Sequence, residues 1–193
     1  MGIFLGFLPF VAFAVLNGRL GATDALLAGA AVSAALIVRG WRSGVSPKVL
    51  EVGTLILFLA VALYAATAGG ALSATGVQLC VNGGLFAIVL VSLLLRRPFT
   101  LQYAREQVPQ AYWDNPAFLR TNYVITTGWA LAFLVMTVAE AAMLYVPTLP
   151  RATEEIVIVA ALAGAIGFTN WYAGTRRRAA LAMQSNLGDP PGR

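Results

Sequence analysis

Few polar side chains interrupt the apolar runs of this chain, and any chemistry it performs must start from them. Glu140 stands in "VMTVAEAAMLYVP" with no basic residue in its own run. A carboxyl inside a lipid-spanning helix is costly, and it marks a proton or cation path or a polar contact. The alternative is that Glu140 lies near the end of its helix, hydrated and facing Arg151. Gln78 and Asn82 in "QLCVNGGLF" are four residues apart and share one helix face. Gly83-Gly84 follow at once. Two amides beside an opened helix turn would coordinate a solute or ion. Otherwise the amides bond a neighbouring helix while the glycines let two backbones approach. Glu51 comes three residues after Lys48. There it favours the helix N-terminus through the dipole, as a cap or as the partner of Lys48. Asp24, after Thr23, meets the same argument one hairpin earlier. Asn170 precedes Trp171 and Tyr172 where the last apolar run ends, a place for an aromatic belt.

What is missing narrows the chemistry further. The chain has no histidine, the commonest near-neutral acid–base group and the commonest metal and haem ligand. Its single cysteine, Cys80, has no intrachain partner and is expected to be a small buried apolar residue. No cofactor is expected, and with no cysteine pair and no clustered aspartates the chain does not read as an enzyme. A lipid enzyme built on serine or arginine is the weakest of the functional readings. The net charge of +5 does not point to nucleic acid, because the basic residues fall in separate connections.

The elements that position these groups follow from composition. Of 193 residues, 59% are hydrophobic and only 11% charged. A soluble domain carries about 25% charged residues, so lipid is the solvent for most of this chain. A membrane helix takes about 20 mainly apolar residues, and six runs qualify: 3–19, 22–38, 49–68, 76–95, 122–146 and 155–173. The first is the weakest, since its purely apolar part stops at Leu16. "MGIFLGFLPFVAFAVLNG" lacks the basic start of a secretory signal and is read as a retained helix. Connections after the second, fourth and sixth runs hold eleven of the thirteen basic residues, leaving only Arg19 and Arg151 on the other side. That alternation requires an even count and puts both termini in the cytoplasm. The expected fold is an all-α integral membrane bundle of six transmembrane helices, with five spans plus a short re-entrant first helix as the alternative. Residues 1–175 form one transmembrane domain, and 176–193 a basic, partly disordered tail, with "SNLGDPPGR" as its disordered end. Small residues at three- and four-residue spacing mark the second run (Ala25, Ala28, Gly29, Ala31, Val32, Ala35) and the sixth (Ala160, Ala163, Gly164, Gly167). They suit the bundle interior or a homodimer seam.

The connection "LLLRRPFTLQYAREQVPQAYWDNPAFLRTN" spends charges and aromatics freely. Arg96-Arg97 end the fourth span, and Pro98 stops or redirects it. Residues 99–108 fit a short helix with Leu101, Ala104 and Val108 on one side, lying where headgroups meet water. Arg96, Arg97, Arg105, Tyr103 and Trp113 are its candidate interfacial anchors, with Tyr112 and Phe118 beside them. A plain loop packed over the end of the bundle, or a solute gate, are the other readings.

Three stretches together, "FLPFVAFAVLNGRLGATDALLAG", "NGGLFAIVLVSLLLRRPF" and "NPAFLRTNYVITTGWALAFLVMTVAEAAML", resemble the bacterial intracellular septation protein A family of inner membrane-spanning proteins. The resemblance rests on Phe7-Leu8-Pro9, Asn82, Arg97-Pro98 and Trp129 with Leu131, and covers residues 3–146. The aromatic connection departs from the family pattern. The resemblance implies a small inner-membrane protein acting in cell-envelope or division assembly through contacts with other membrane proteins, with no catalytic residues to carry over. A small transporter or channel for a proton-coupled solute or ion, using Glu140, Asn82 and Gln78, is the alternative from a different class.

Overall fold

The computed structural model describes residues 2–67, 73–146 and 148–188, and these are helical with no strand among them. In chain order the helices are α1 (Gly2–Gly6), α2 (Leu8–Leu20), α3 (Ala22–Arg42), α4 (Val49–Thr67), α5 (Ala74–Leu94), α6 (Phe99–Arg105), α7 (Pro116–Tyr145) and α8 (Arg151–Gly188). A short 3-10 turn, Gln110–Tyr112, sits between α6 and α7. Five of them, α3, α4, α5, α7 and α8 as far as Ala179, are long and apolar enough to cross a membrane; Phe4–Leu20 is a shorter apolar helix. The outside of the bundle is oily: Val11, Ile56, Leu63, Leu131, Val138 and Ile156 each expose more than half of their surface. Such a surface suits acyl chains, because in lipid nothing is gained by hiding it.

With no hydrophobic drive between helices in lipid, close approach must hold the bundle together. α3 lies along both α2 and α4, α5 along α4 and α7, and α7 along α8. Gly29 of α3 is buried, and a side chain there would collide with the Phe58 ring of α4. Gly84 of α5 admits Leu57 of α4 in the same way. Helix α5 runs unbroken through Gly83-Gly84, so these glycines serve packing rather than an opened turn.

The connections gather at two ends. The end holding the α3–α4 and α5–α7 connections carries Arg39, Arg42, Lys48, Arg96, Arg97, Arg105 and Arg120, and is called the basic end. Helices α3 and α5 both stop there with the same device. Val45 N–H donates to Gly40 O at 2.9 Å and Gly44 N–H to Trp41 O at 3.1 Å; Arg97 N–H donates to Ser92 O at 2.9 Å and Arg96 N–H to Leu93 O at 3.0 Å. This pairing requires a left-handed residue just past the helix. Gly44 meets it with φ 73°, whereas Arg96 does so at φ 56° despite its side chain. Pro98 then prevents continuation.

Several expectations change. The helix expected from 122 begins at Pro116, because Asn115 Oδ1 accepts from Ala117 N–H at 2.8 Å and Pro116 fits the first helical turn. The last helix starts at Arg151 and runs on to Gly188, so the basic segment from 176 continues it; residues 189–193 lie outside the described residues, as do 68–72 of one turn. Residues 185–188, expected to be disordered, are helical. Cys80 is exposed on the bundle surface rather than buried. The small residues of α8 do not face the interior: Ala160, Ala163, Gly164 and Gly167 are exposed. In α3, Ala25 and Gly29 are buried but Ala31 and Ala35 look outward.

The first apolar segment is integral to the bundle. It breaks between α1 and α2, where the Phe7 ring stacks on Trp129 at 4.6 Å and meets Phe133 at 5.9 Å and Phe99 at 6.1 Å. Gly6 leaves room for the Tyr103 side chain of α6. From that contact at the basic end, α2 runs along α3 to the Gly21 turn at the opposite end.

Candidate functional site

Two polar groupings lie inside this oily frame, one toward each end. The first joins residues 58 positions apart. Asn82 of α5 donates through Nδ2 to Glu140 Oε1 of α7. Glu140 has no exposed surface, so it does not sit hydrated at a helix end opposite Arg151. It occupies that place because α7 turns one face inward along Asn122, Ile125, Thr126, Trp129, Phe133, Met136 and Glu140, at spacings of three and four. Its second oxygen, Oε2, has no hydrogen-bond partner. Toward the basic end, Leu85, Val89, Phe133 and Met136 belong to one buried apolar cluster that closes the interior beneath the pair. Toward the opposite end, Gln78 lies one turn before Asn82 on α5, half-buried. Glu154 of α8 also has a buried oxygen, Oε1, without a hydrogen-bond partner.

The apolar runs do not single out Glu154, because it falls just ahead of the last of them. The available signal is its register: Glu154, Ile158, Ala161 and Ala165 fall on one helix face, and the last three pack on the core.

The second grouping is at the basic end. Lys48 Nζ lies 3.5 Å from Glu51 and 2.9 Å from Glu106, and 4.8 Å from the centre of the Tyr103 ring. Glu51 is buried, in the first turn of α4, where the helix dipole favours it. Gln102 Oε1 accepts from Val49 N–H at 2.8 Å, and Ser33 Oγ donates to Glu51 O at 2.7 Å. Tyr103 is not at a lipid interface as expected but 1% exposed, enclosed under Gly6 and Lys48. Burial pushes its phenol well above the usual tyrosine range, and the Glu51 and Glu106 carboxylates push in the same direction. It therefore stays neutral. These contacts tie the start of α4 to α6 and read as a clamp.

Helix α6 is shorter than expected, and it docks on the bundle with Phe99, Thr100, Leu101 and Tyr103 buried. Thr100 Oγ1 donates to Asn122 O at 3.0 Å and lies 2.7 Å from Thr126 Oγ1. Trp113 turns inward on its own loop: its Nε1–H is shared between Arg105 O at 3.2 Å and Val108 O at 3.3 Å, and the Arg105 guanidinium lies over its ring at 5.3 Å. Of the expected anchors, Arg96 and Arg97 remain exposed. Asn170 is exposed on α8. No group of three or more Asp, Glu, Cys or His side chains placed to hold a metal occurs among the described residues.

An all-helical bundle with this lipid-suited surface and an enclosed carboxyl–amide pair belongs to the class of multi-pass helical membrane proteins. Comparison with known protein families, with curated proteins and with solved structures finds no match.

Proposed function

We propose that this chain is a six-crossing bacterial inner-membrane protein with both termini in the cytoplasm, and that it works as a small transporter or channel for a proton-coupled solute or ion. The observation that carries the transport reading is the Asn82–Glu140 bond: a carboxyl fully enclosed between two crossing helices, with one oxygen left unpartnered. Such a group is expensive in lipid, and carriers of protons and cations retain it for that reason. Gln78, half-buried one turn from Asn82, is the polar neighbour toward one end, while Phe133 and Met136 belong to the apolar cluster on the other side.

The six-crossing topology is supported by the first segment, which begins against α6 at the basic end and finishes at Gly21 at the other. Helices α1 and α2 rise about 8 Å and about 20 Å on either side of the break at Phe7, at about 1.5 Å per residue. The Lys/Arg bias sets the basic end in the cytoplasm. There α6 and its loop lie at headgroup level, with Arg96, Arg97 and exposed Tyr112 toward the lipid.

Reconstituted vesicles carrying an internal pH dye test the transport reading. Imposed ion or solute gradients should drive proton flux that Glu140→Gln abolishes; no flux under any gradient would end it. A second reading, assembly with envelope or division proteins as a septation protein A-like partner, is favoured by α8. Only 6% of its membrane window is buried in the bundle, against 28–44% for the other four. Crosslinking from α8 in native membranes that recovers no envelope or division protein would remove that reading.

A further inference from the structure

We propose that the groove between α7 and α8 seats one acyl chain of an anionic phospholipid, whose phosphate is held at the basic end by Arg176 and its neighbours. The groove measures about 480 Å³ and is lined by Leu131 and Val135 of α7 and by Val157, Ala161, Gly164 and Phe168 of α8. It has depth because Ala132 and Ala165, both buried, bring small side chains to the seam where the two helices meet. No described side chain fills it: Leu131 and Gly164 are exposed, and a Cβ on Gly164 would meet no atom within 4 Å. From Val157 to Phe168 it rises about 17 Å at about 1.5 Å per residue, roughly one leaflet of a hydrocarbon core about 30 Å thick. That is the reach of a single acyl chain anchored at the basic end.

Charge at one end of the groove selects the lipid. The Phe168 ring lies against α7 at Gly128, where a side chain would crowd it. It stacks on Tyr172 at 5.6 Å. The Arg176 guanidinium lies over the Tyr172 ring at 5.1 Å, and its Nη2 donates to the Tyr172 hydroxyl at 2.9 Å. One continuous set of contacts thus carries a fixed cation to the mouth of an apolar groove. Arg177 and Arg178 follow, exposed. Arg120 stands at the corresponding height on α7, eight residues before Gly128 as Arg176 is eight after Phe168. Among the described residues the ion pairs are those of Lys48 alone, and α8 has no acidic residue between Ile156 and Gly188. Guanidinium groups without a carboxylate suit a phosphate, and a basic pocket between membrane helices suits an anionic headgroup. A second copy of this chain fits less well. Seated here about a two-fold axis along the membrane normal, it would bring its own Arg176, Arg177 and Arg178 toward these, like charge on like.

The inference stands apart from the transport reading, and its test needs no flux. The full-length protein is stripped of lipid in detergent. Its thermal midpoint is followed as dioleoyl phosphatidylglycerol, dioleoyl phosphatidylcholine or inorganic phosphate is added, and native mass spectrometry counts the lipid bound. Phosphatidylglycerol should raise the midpoint and bind at one per chain; phosphatidylcholine with the same acyl chains, and phosphate alone, should do neither. Arg176→Gln should weaken phosphatidylglycerol binding roughly fivefold, the weight of one basic residue beside an anionic surface. Gly164→Leu, which fills the groove, should weaken it at least as much while leaving the midpoint without lipid unchanged. Arg39→Gln, exposed at the same end but on α3, should leave binding as it is. Should Gly164→Leu fail to fold, Arg176→Gln, at an exposed position, decides against the Arg39→Gln control. Equal responses to the two lipids, phosphate substituting for the lipid, binding unchanged in Arg176→Gln or in a folded Gly164→Leu, or equal losses in Arg39→Gln and Arg176→Gln would each overturn the proposal. So would a lipid-independent dimer that Gly164→Leu splits, since that would give the groove to a second copy.

Discussion

At the residue scale, the central fact is that one buried hydrogen bond carries two polar side chains across a helix interface in lipid. The asymmetry between breaking and replacing such a bond makes it measurable. Asn82→Leu strands the Glu140 oxygen it served and should destabilise the protein by about 2–3 kcal/mol. Replacing both partners, Asn82→Leu with Glu140→Leu, leaves no orphan and should recover most of that loss. Denaturant unfolding of the single and double variants in detergent checks both. If the double variant is as unstable as the single one, the two side chains do not act as an isolated pair. The clamp around Lys48 obeys a different balance. Its partners Glu51 and Glu106 differ in exposure, and the more exposed contact with Glu106 adds little. The neutral phenol of Tyr103 contributes shape and an apolar ring rather than charge.

At the element scale, helix ends decide how the chain turns. α3 and α5 finish with the same two hydrogen bonds, one through Gly44 and the other through Arg96. A side chain costs about 1–2 kcal/mol in the left-handed region. Gly44→Ala should therefore lower stability by about 1 kcal/mol, and Arg96→Gly should raise it by a similar amount. Thermal midpoints moving in opposite directions would bear this out; equal shifts would show that Arg96 is held by contacts of its side chain instead. Along the helix walls the same logic applies to volume. A Cβ on Gly84 would collide with Leu57 Cδ1, so Gly84→Leu should cost about 1–3 kcal/mol by overpacking and loosen α4 from α5. Gly164 faces open space, so Gly164→Leu should be tolerated by the monomer. Unfolding midpoints of these two variants make a matched comparison.

At the scale of the whole molecule, the distribution of charge gives a topology that labelling can read. In a Cys80→Ser background, a single cysteine replacing Ser43 marks the basic end and one replacing Ser73 marks the opposite end. In intact cells whose outer membrane is permeable to the reagent, a maleimide that cannot cross the inner membrane should label position 73 and reach position 43 only after that membrane is opened. The reverse pattern would invert the protein. Labelling of both from outside would mean that α4, the helix between them, does not cross.

Much of this architecture is legible in the amino-acid sequence. Too few charges for a soluble surface, apolar runs of spanning length and basic residues in alternate connections require a helical membrane protein, because lipid cannot satisfy an exposed backbone. Glu140 and Asn82 stand out individually, since a polar group in an apolar run is costly wherever it ends up. What the chain alone does not decide is which of them meet. Asn82 pairs with Glu140, Tyr103 is enclosed rather than lipid-facing, and Glu154 sits in a helix that starts ahead of its apolar run. Helix rotation and crossing in lipid are set by close approach at Gly29 and Gly84 and by caps at Asn115 and Arg96. Periodicity in a chain apolar on every face says little about such rotation. Composition and charge pointed to the solvent and to the apolar helices, though not to the start of α7 or the end of α8; only tertiary packing decided which faces turn inward, and so which polar groups meet.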